Sequence, residues 1–277
     1  MRETPGISGK VFQALGKNGV NLKAIAQGSS ELNISFVIKK SQLSKALNVI
    51  HDAMFLSTRK ELNIFIIGTG LVGSAFIEYI KEKKEFLFKK LHTNANIIGI
   101  ANSKKMYFDV NGIDLLNWKD SLLNSEIDSN IESFINTMRE MNLANSIFID
   151  CTATDKVLEH YEFILDSNIS VITPNKIANT LSFEKWETIR NKAIQNNVQF
   201  MYSTNVGAGL PVIDLIQGLI QGGEEIIKIE GVLSGTLSYI LNSFEADKKF
   251  SDIVFDAKEK GFTEPDPRDD LNGLDMA

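Results

Sequence analysis

The chain has 277 residues, 43% of them hydrophobic and 23% charged, with a formal net charge of −6. That is enough apolar material for about two globular domains, and the negative balance offers no basic surface for nucleic acid. A single cysteine, Cys151, excludes an internal disulfide and a thiolate zinc cluster; His51, His92 and His160 lack metal-ligand spacing; and no apolar run approaches the roughly 20 residues of a membrane span. With no charged-then-apolar leader at the start, a cytoplasmic protein is expected.

Residues 1–57 read as a unit of their own. Val11, Phe12 and Leu15 predict a helix over Ser8–Lys17, and strand-like runs follow at Val20–Gln27 and Glu31–Lys39. In the second run Leu32, Ile34, Phe36 and Ile38 alternate with Asn33, Ser35 and Val37. An amphipathic helix over Ser41–Met54 completes a small sandwich, with helices on one face of an antiparallel sheet. A short polar linker runs from Ser57 to Glu61.

The segment Leu62–Lys84 changes character in its middle. The apolar, largely β-branched run Leu62–Ile67 stops at Gly68-Thr69-Gly70-Leu71-Val72-Gly73, and apolar residues then recur at helical spacing. Leu71, Val72, Ala75, Phe76, Tyr79 and Ile80 are expected on one helical face, with Glu78, Lys81, Glu82 and Lys84 in solvent. A strand, a tight turn and a helix spaced as G-x-G-x-x-G suit a dinucleotide: Gly68 allows the turn, Gly70 lets a pyrophosphate approach bare backbone, and Gly73 lets helix and strand come close. The alternative is a glycine turn kept only for packing.

Asn96–Ala101 reads as the second parallel strand. An NAD site places Asp or Glu at the end of that strand to bind the ribose 2′-hydroxyl; here stand Asn102, Ser103, Lys104 and Lys105, which suit a 2′-phosphate and hence NADP. The competing reading is a solvated turn. Trp118–Met141 reads as helical crossover material and Asn145–Asp150 as the next strand, with a helix expected from Asp155. Thr152, just past that strand, is a candidate contact for the nicotinamide half, whereas Cys151 reads as a small buried hydrophobe. The strand Ile169–Thr173 runs into Pro174-Asn175-Lys176, where Lys176 could stabilise negative charge on a substrate oxygen. A helix over Phe183–Asn196 and a strand over Val198–Tyr202 close this region.

Past Thr204 the composition shifts to Gly207, Ala208 and Gly209 ahead of Pro211, a loop suited to exposing backbone carbonyls to a monovalent cation or a substrate. A strand is expected over Glu230–Leu233, then a helix opened by Ser234-Gly235-Thr236. Between Gly261 and Asp275 stand five carboxylates within twelve residues, with Pro265 and Pro267 among them. The prolines predict an extended start and a helix only from Asp269 or Asp270. The acids are read either as helix caps and solvated groups or as acceptors for a substrate ammonium.

Together, GTGLVGSAF, IANSKK, DCTAT, VITPNK, TNVGAGLPV, SGTLSYI and GFTEPDPRDDLNGLD resemble homoserine dehydrogenase, over nearly the whole chain. The start, MRETPGISGKVFQALGKNGVN with IAQGSSELNISFVI, resembles the ACT region of aspartokinases, so the whole is similar to part of a bifunctional aspartokinase–homoserine dehydrogenase. The resemblance implies an α/β fold: a Rossmann-type doubly wound parallel sheet over 58–204, a partial ACT-like domain over 1–57, and a truncated α+β substrate domain over 205–277. It implies NAD(P)-dependent interconversion of L-homoserine and L-aspartate 4-semialdehyde in threonine, methionine and isoleucine biosynthesis. Carried over position by position, Gly68, Gly70, Leu71, Val72 and Gly73 bind the cofactor with Asn102, Ser103, Lys104, Thr152 and Lys176. Glu264 and Asp275 act with Lys176 in catalysis, and Thr236, Gly261, Glu264, Asp270 and Asp275 bind the substrate.

The family's sodium-like cation falls on the carbonyls of Val206, Ala208 and Leu210, with Ser203 where relatives carry an acid. The acid–base lysine expected after Asp275 is not in the chain, so weak or no turnover is expected of these residues alone. An amino acid sensed at the ACT-like part and a homo-oligomer are the implied partners, with no nucleic acid and no membrane. The alternative function is a non-catalytic module that senses an amino acid and binds nucleotide.

Overall fold

The structure, a computed structural model, describes residues 5–28, 33–55, 60–232, 234–245, 248–264 and 266–273. The chain divides into two compact units, Met1–Met201 and Tyr202–Ala277.

In the first unit, helices α1 (Ile7–Lys17) and α2 (Leu43–Phe55) accompany an antiparallel pair, β1 (Ala24–Gln27) and β2 (Ile34–Val37). Val11, Leu15, Val20, Ala46 and Val49 form their core. The strands are shorter than the apolar runs suggested, and Glu31 and Leu32 lie outside the described residues. The expected alternation persists within β2, where Ile34 and Phe36 are half-buried and Ser35 and Val37 exposed.

The main sheet contains β3 (Lys60–Ile67), β4 (Thr93–Ala101), β5 (Met106–Phe108), β6 (Ser146–Asp150), β7 (Ser170–Ile172) and β8 (Phe200–Met201), in the spatial order β5-β4-β3-β6-β7-β8. All neighbours are parallel except β4 and β5. Successive β3 residues serve opposite cores, which is why the run is apolar throughout. Ile64 and Ile66 meet Ile77 and Ile80 of α3 (Leu71–Lys90) and Trp118 and Leu122 of α4 (Trp118–Leu123). Phe65 and Ile67 belong to the other core, with Phe134 and Met138 of α5 (Ile131–Met141), Ile164 of α6 (Tyr161–Asp166) and Ile189 of α7 (Phe183–Gln195). This is a doubly wound α/β sheet. Burying one such side chain fully contributes about 1.5–3 kcal/mol.

Three expectations for this unit are corrected. Trp118–Met141 is two helices, because α5 has its own start: the Asn130 side chain accepts a hydrogen bond from Ser133 N at 2.8 Å. No helix begins at Asp155; a turn there leads into a 3₁₀ segment over Leu158–His160 and then α6. The buried face of α3 is Gly73, Ile77 and Ile80, while Leu71, Val72 and Tyr79 are 81%, 51% and 56% exposed. Gly73 is the residue of the first turn that lies against the end of the sheet, and Leu71 and Val72 point away from it and find no core.

The second unit holds α8 (Val212–Gln221), α9 (Gly235–Asn242), α10 (Phe250–Glu259) and α11 (Pro267–Leu271). Ile240, Ile253 and Ala257 make a small core, and Tyr239 Oη donates to Asp256 at 2.7 Å. The strand expected at Glu230–Leu233 does not form: residues 230–232 are exposed and join no sheet, and Leu233 lies outside the described residues. A lone extended segment has no ladder to complete. Helix α11 starts earlier than Asp269, because Pro267 occupies its first turn and the Asp266 side chain accepts from Arg268 N at 3.0 Å.

Candidate active site

The sheet changes direction of growth at β3, with β4 on one side and β6 on the other. In open α/β sheets, the carboxyl ends of strands at such a switch hold ligands. Gly68 N donates to Ala101 O at 2.9 Å and Cys151 N to Ile67 O at 2.8 Å, so the ends of β3, β4 and β6 are tied together.

Gly68 has φ 92°, and a Cβ there would lie 2.6 Å from the carbonyl carbon of Cys151. A Cβ at Gly73 would run into the Gly68 carbonyl oxygen. The chain itself therefore requires both glycines. Gly70 differs: its backbone is not left-handed, and a Cβ there would meet nothing within 4 Å among the described residues. Gly70 is also the N-cap of α3, with no side-chain cap and no acid in the first turn, so the leading amides face outward without a side-chain acceptor. Such amides suit an anion.

At the end of β4 the Asn102 side chain accepts from Lys104 N at 2.7 Å and from Lys105 N at 2.8 Å. This local turn leaves Ser103 and Lys104 exposed, while Lys105 pairs with Asp128 at 2.9 Å. Among Asn102–Lys105 there is no carboxylate to receive a ribose 2′-hydroxyl.

At the end of β6, sequence reasoning missed a buried polar network. Asp150 is fully buried: one carboxylate oxygen accepts from Thr152 N at 2.8 Å and Thr152 Oγ1 at 2.6 Å, and the other from Tyr161 Oη at 2.6 Å and Asn175 Nδ2 at 3.5 Å. Thr173 Oγ1 donates to the Asp150 carbonyl at 3.0 Å and accepts from Asn175 N at 2.9 Å. Asn175 in turn caps the short turn Lys176–Asn179, its side-chain oxygen accepting from Ile177 N at 3.1 Å. Thr152 and the backbone at Lys176, both candidate site positions, are thus set by groups that bind Asp150. Burial raises the Asp150 carboxyl above its ordinary range, against the opposing pull of its hydrogen bonds. The one available signal was an acid closing the apolar run of β6.

Burial and then the Asp150 charge push the Cys151 thiol up to about 12. The thiolate population near pH 8 is then smaller by roughly 10³ than for an ordinary thiol. Iodoacetamide is expected to alkylate native Cys151 about that much more slowly than the urea-unfolded chain, followed by intact mass.

In the second unit, Asp270 is buried and accepts from Glu264 N at 2.8 Å, closing the loop that carries Glu264. Asp266 pairs with Arg268, and their bond holds the Asp266 carboxyl at about 2. Two of the five acids thus have structural work. Thr236 Oγ1 donates to Phe262 O at 2.5 Å, placing Thr236 next to the Gly261 turn, where φ is 70°. Ser203 Oγ donates to Asp214 at 2.6 Å, which brings a carboxylate to the position where the sequence has a hydroxyl. Val206, Ala208 and Leu210 lie in the loop that follows, with Ala208 at φ 49°. Asp275 lies outside the described residues.

A doubly wound sheet with a glycine turn at its switch point defines this part of the chain as a nucleotide-binding domain of the dehydrogenase type. Residues 68–203 match the family profile described as "Homoserine dehydrogenase, NAD binding domain", residues 211–277 match "Homoserine dehydrogenase", and residues 1–54 match "ACT domain". The chain is 41% identical, over its full length, to bifunctional aspartokinase/homoserine dehydrogenase 1 of Zea mays, and 40% identical to the bifunctional enzyme of Haemophilus influenzae. It spans 30% and 34% of those proteins. A hyperthermophilic archaeal homoserine dehydrogenase solved in complex with NADPH superposes with a TM-score of 0.63 at 28% identity, over 78% of this chain and 66% of that one. The chain belongs to the homoserine dehydrogenase family.

Proposed function

We propose that the chain works as the nucleotide- and substrate-binding part of a homoserine dehydrogenase, interconverting L-homoserine and L-aspartate 4-semialdehyde with NADP in preference to NAD. The observation that carries this reading is Gly70: nothing among the described residues needs glycine there, whereas a pyrophosphate lying on the amides of α3 does. On this reading the chain has three parts, an ACT-like part over 1–57, the nucleotide domain over 58–204 and the substrate domain over 205–277.

The backbone of Gly68–Gly73 would hold the pyrophosphate, with Leu71 and Val72 flanking it. Asn102, Ser103 and Lys104 would take the 2′-phosphate, and Thr152 and Lys176 would border the nicotinamide. A bound nicotinamide supplies the hydride chemistry. The protein's share is to orient the substrate and to balance charge on its oxygen, for which Lys176 offers a cation. Glu264, with Asp270 fixing its loop and Asp275 beyond, would receive the substrate ammonium, and Thr236 and Gly261 would shape the pocket.

The carbonyls of Val206, Ala208 and Leu210 are candidates for a sodium ion, with Asp214 beside Ser203 as its carboxylate. An amino acid sensed at the ACT-like part and a homo-oligomer in the cytoplasm complete the proposal.

The test is homoserine-dependent reduction of NADP and NAD, by these 277 residues and by a chain that includes the further residues of the longer relatives. Turnover in the longer chain, with the higher kcat/KM for NADP, is expected. Dinucleotide binding without homoserine oxidation in either chain would replace the enzyme by a sensing module.

A further inference from the structure

The turn Asn102–Lys105, between β4 and β5, carries two lysines that the fold treats differently. Lys104 is exposed, and its ammonium has no partner among the described residues. Lys105 is half-buried, and its Nζ donates to Asp128 Oδ1 at 2.9 Å. The cause lies in the backbone. Residues 125–129 run antiparallel beside 104–106: Met106 N donates to Ile127 O at 3.0 Å, and Ser129 N to Lys104 O at 2.9 Å. These two bonds flank Lys105 and Asp128, which therefore stand opposite each other as a non-hydrogen-bonded cross-strand pair, the arrangement that brings side chains closest. Ser125 braces the same segment, its Oγ donating to Met106 O at 2.6 Å and accepting from Ile127 N at 3.2 Å.

Asp128 has no other work in the fold. Its side chain is 89% exposed, and its carboxylate makes no further bond among the described residues. An ion pair so open to water adds little to stability. The residue that caps the next helix, α5, is Asn130. What Asp128 does is occupy one cation of a two-lysine turn.

That turn sits where the second strand of a dinucleotide fold meets the ribose. A phosphate monoester carries roughly −1.5 to −2 charges near neutral pH, so a neighbouring ammonium attracts it and a neighbouring carboxylate repels it. NADPH and NADH differ only at the 2′-phosphate. The ratio of their affinities therefore isolates this balance.

We propose that Asp128 is a specificity-determining residue: by holding Lys105 it withholds a second cation from the 2′-phosphate and so moderates the preference for NADP over NAD. This rests on the reading that Asn102, Ser103 and Lys104 take that phosphate. Lys105, next to Lys104 in the chain and on an equally long stem, turns to the phosphate once its carboxylate is removed. The expected sign is the opposite of that for a structural brace, whose loss would loosen the turn and weaken NADPH.

The test is titration of the 277-residue chain with NADPH and NADH by cofactor fluorescence, at one ionic strength near about 0.15 M, with thermal melts alongside. Asp128→Ala should raise the NADPH-to-NADH affinity ratio about three- to tenfold through tighter NADPH. Asp128→Asn, which keeps a neutral acceptor for Lys105, should raise it less. In a cycle with Lys105→Met, the gain from Asp128→Ala should fall below about twofold once the lysine is gone. An unchanged or lower ratio in Asp128→Ala overturns the assignment, as does a rise that comes from weaker NADH. Equal gains with and without Lys105 also overturn it, since the carboxylate would then act only through its own field. A parent that binds NADH as tightly as NADPH removes the NADP reading, while a gain that needs Lys105 still upholds the role of Asp128. Binding of neither cofactor by any of these chains overturns both.

Discussion

Gly70→Ala is expected to leave the fold intact and to weaken the dinucleotide by about 10- to 100-fold, whereas Gly73→Ala should damage both. A methyl at Gly70 meets nothing within 4 Å among the described residues and the backbone is not left-handed, so the change in stability should stay within about 1 kcal/mol. The loss falls on the ligand, whose pyrophosphate must back away from the α3 amides. A charge-assisted hydrogen bond of about 1.5–3 kcal/mol corresponds to that fold-change. At Gly73 the methyl would run into the Gly68 carbonyl, which is backbone and already held by the β4 connection through Gly68 N and Ala101 O. Overpacking of this kind costs about 1–3 kcal/mol, and the displaced turn takes the amides with it. NADPH fluorescence titrations beside thermal melts separate the cases. If Gly70→Ala binds NADPH as tightly as the parent, the pyrophosphate does not lie on this turn.

The glycine turn was legible because two signals change at one point: the period moves from strand to helix and the composition moves from β-branched to small. The extent of the sheet was legible for the same reason at Asn96–Ala101 and Asn145–Asp150, where apolar runs end at polar turns. The edge strand β5 was not, since three residues carry no period. Leu71 and Val72 look in sequence like the inner face of α3; only the direction in which the helix leaves the turn shows that they are left exposed. The Asp150 network was hidden because, Thr152 apart, its partners lie 11 to 25 residues away on other segments, brought together by strand order. In the acidic tail, residue types suggested a substrate pocket, and local geometry gives Asp266 and Asp270 structural bonds first.

Asp150→Ala should be among the most damaging single changes in the first unit, because it leaves the buried Tyr161 Oη and the half-buried Thr152 N and Thr152 Oγ1 without their acceptor. Breaking a buried charged network from one side costs about 3–5 kcal/mol, or a fall in Tm of roughly 10 °C for a unit of this size. Tyr161→Phe removes one bond to the carboxylate, about 1.5–3 kcal/mol, and adds a pH signature. The Asp150 carboxyl is raised in the folded protein, so the native state holds the proton more tightly than the unfolded chain. Its contribution to stability is present at low pH and is lost as pH climbs from the unfolded value, about 3.9, through the folded one. Taking away a hydrogen bond that favours the ionised form raises the folded value further. The deficit of Tyr161→Phe should therefore be larger near pH 7 than near pH 4 in urea unfolding. An equal deficit at both would mean that Tyr161 meets a carboxyl that is already protonated at neutral pH. The network would then hold Thr152 and the Lys176 turn by neutral hydrogen bonds, and Asp150→Asn would keep stability and dinucleotide affinity close to the parent's.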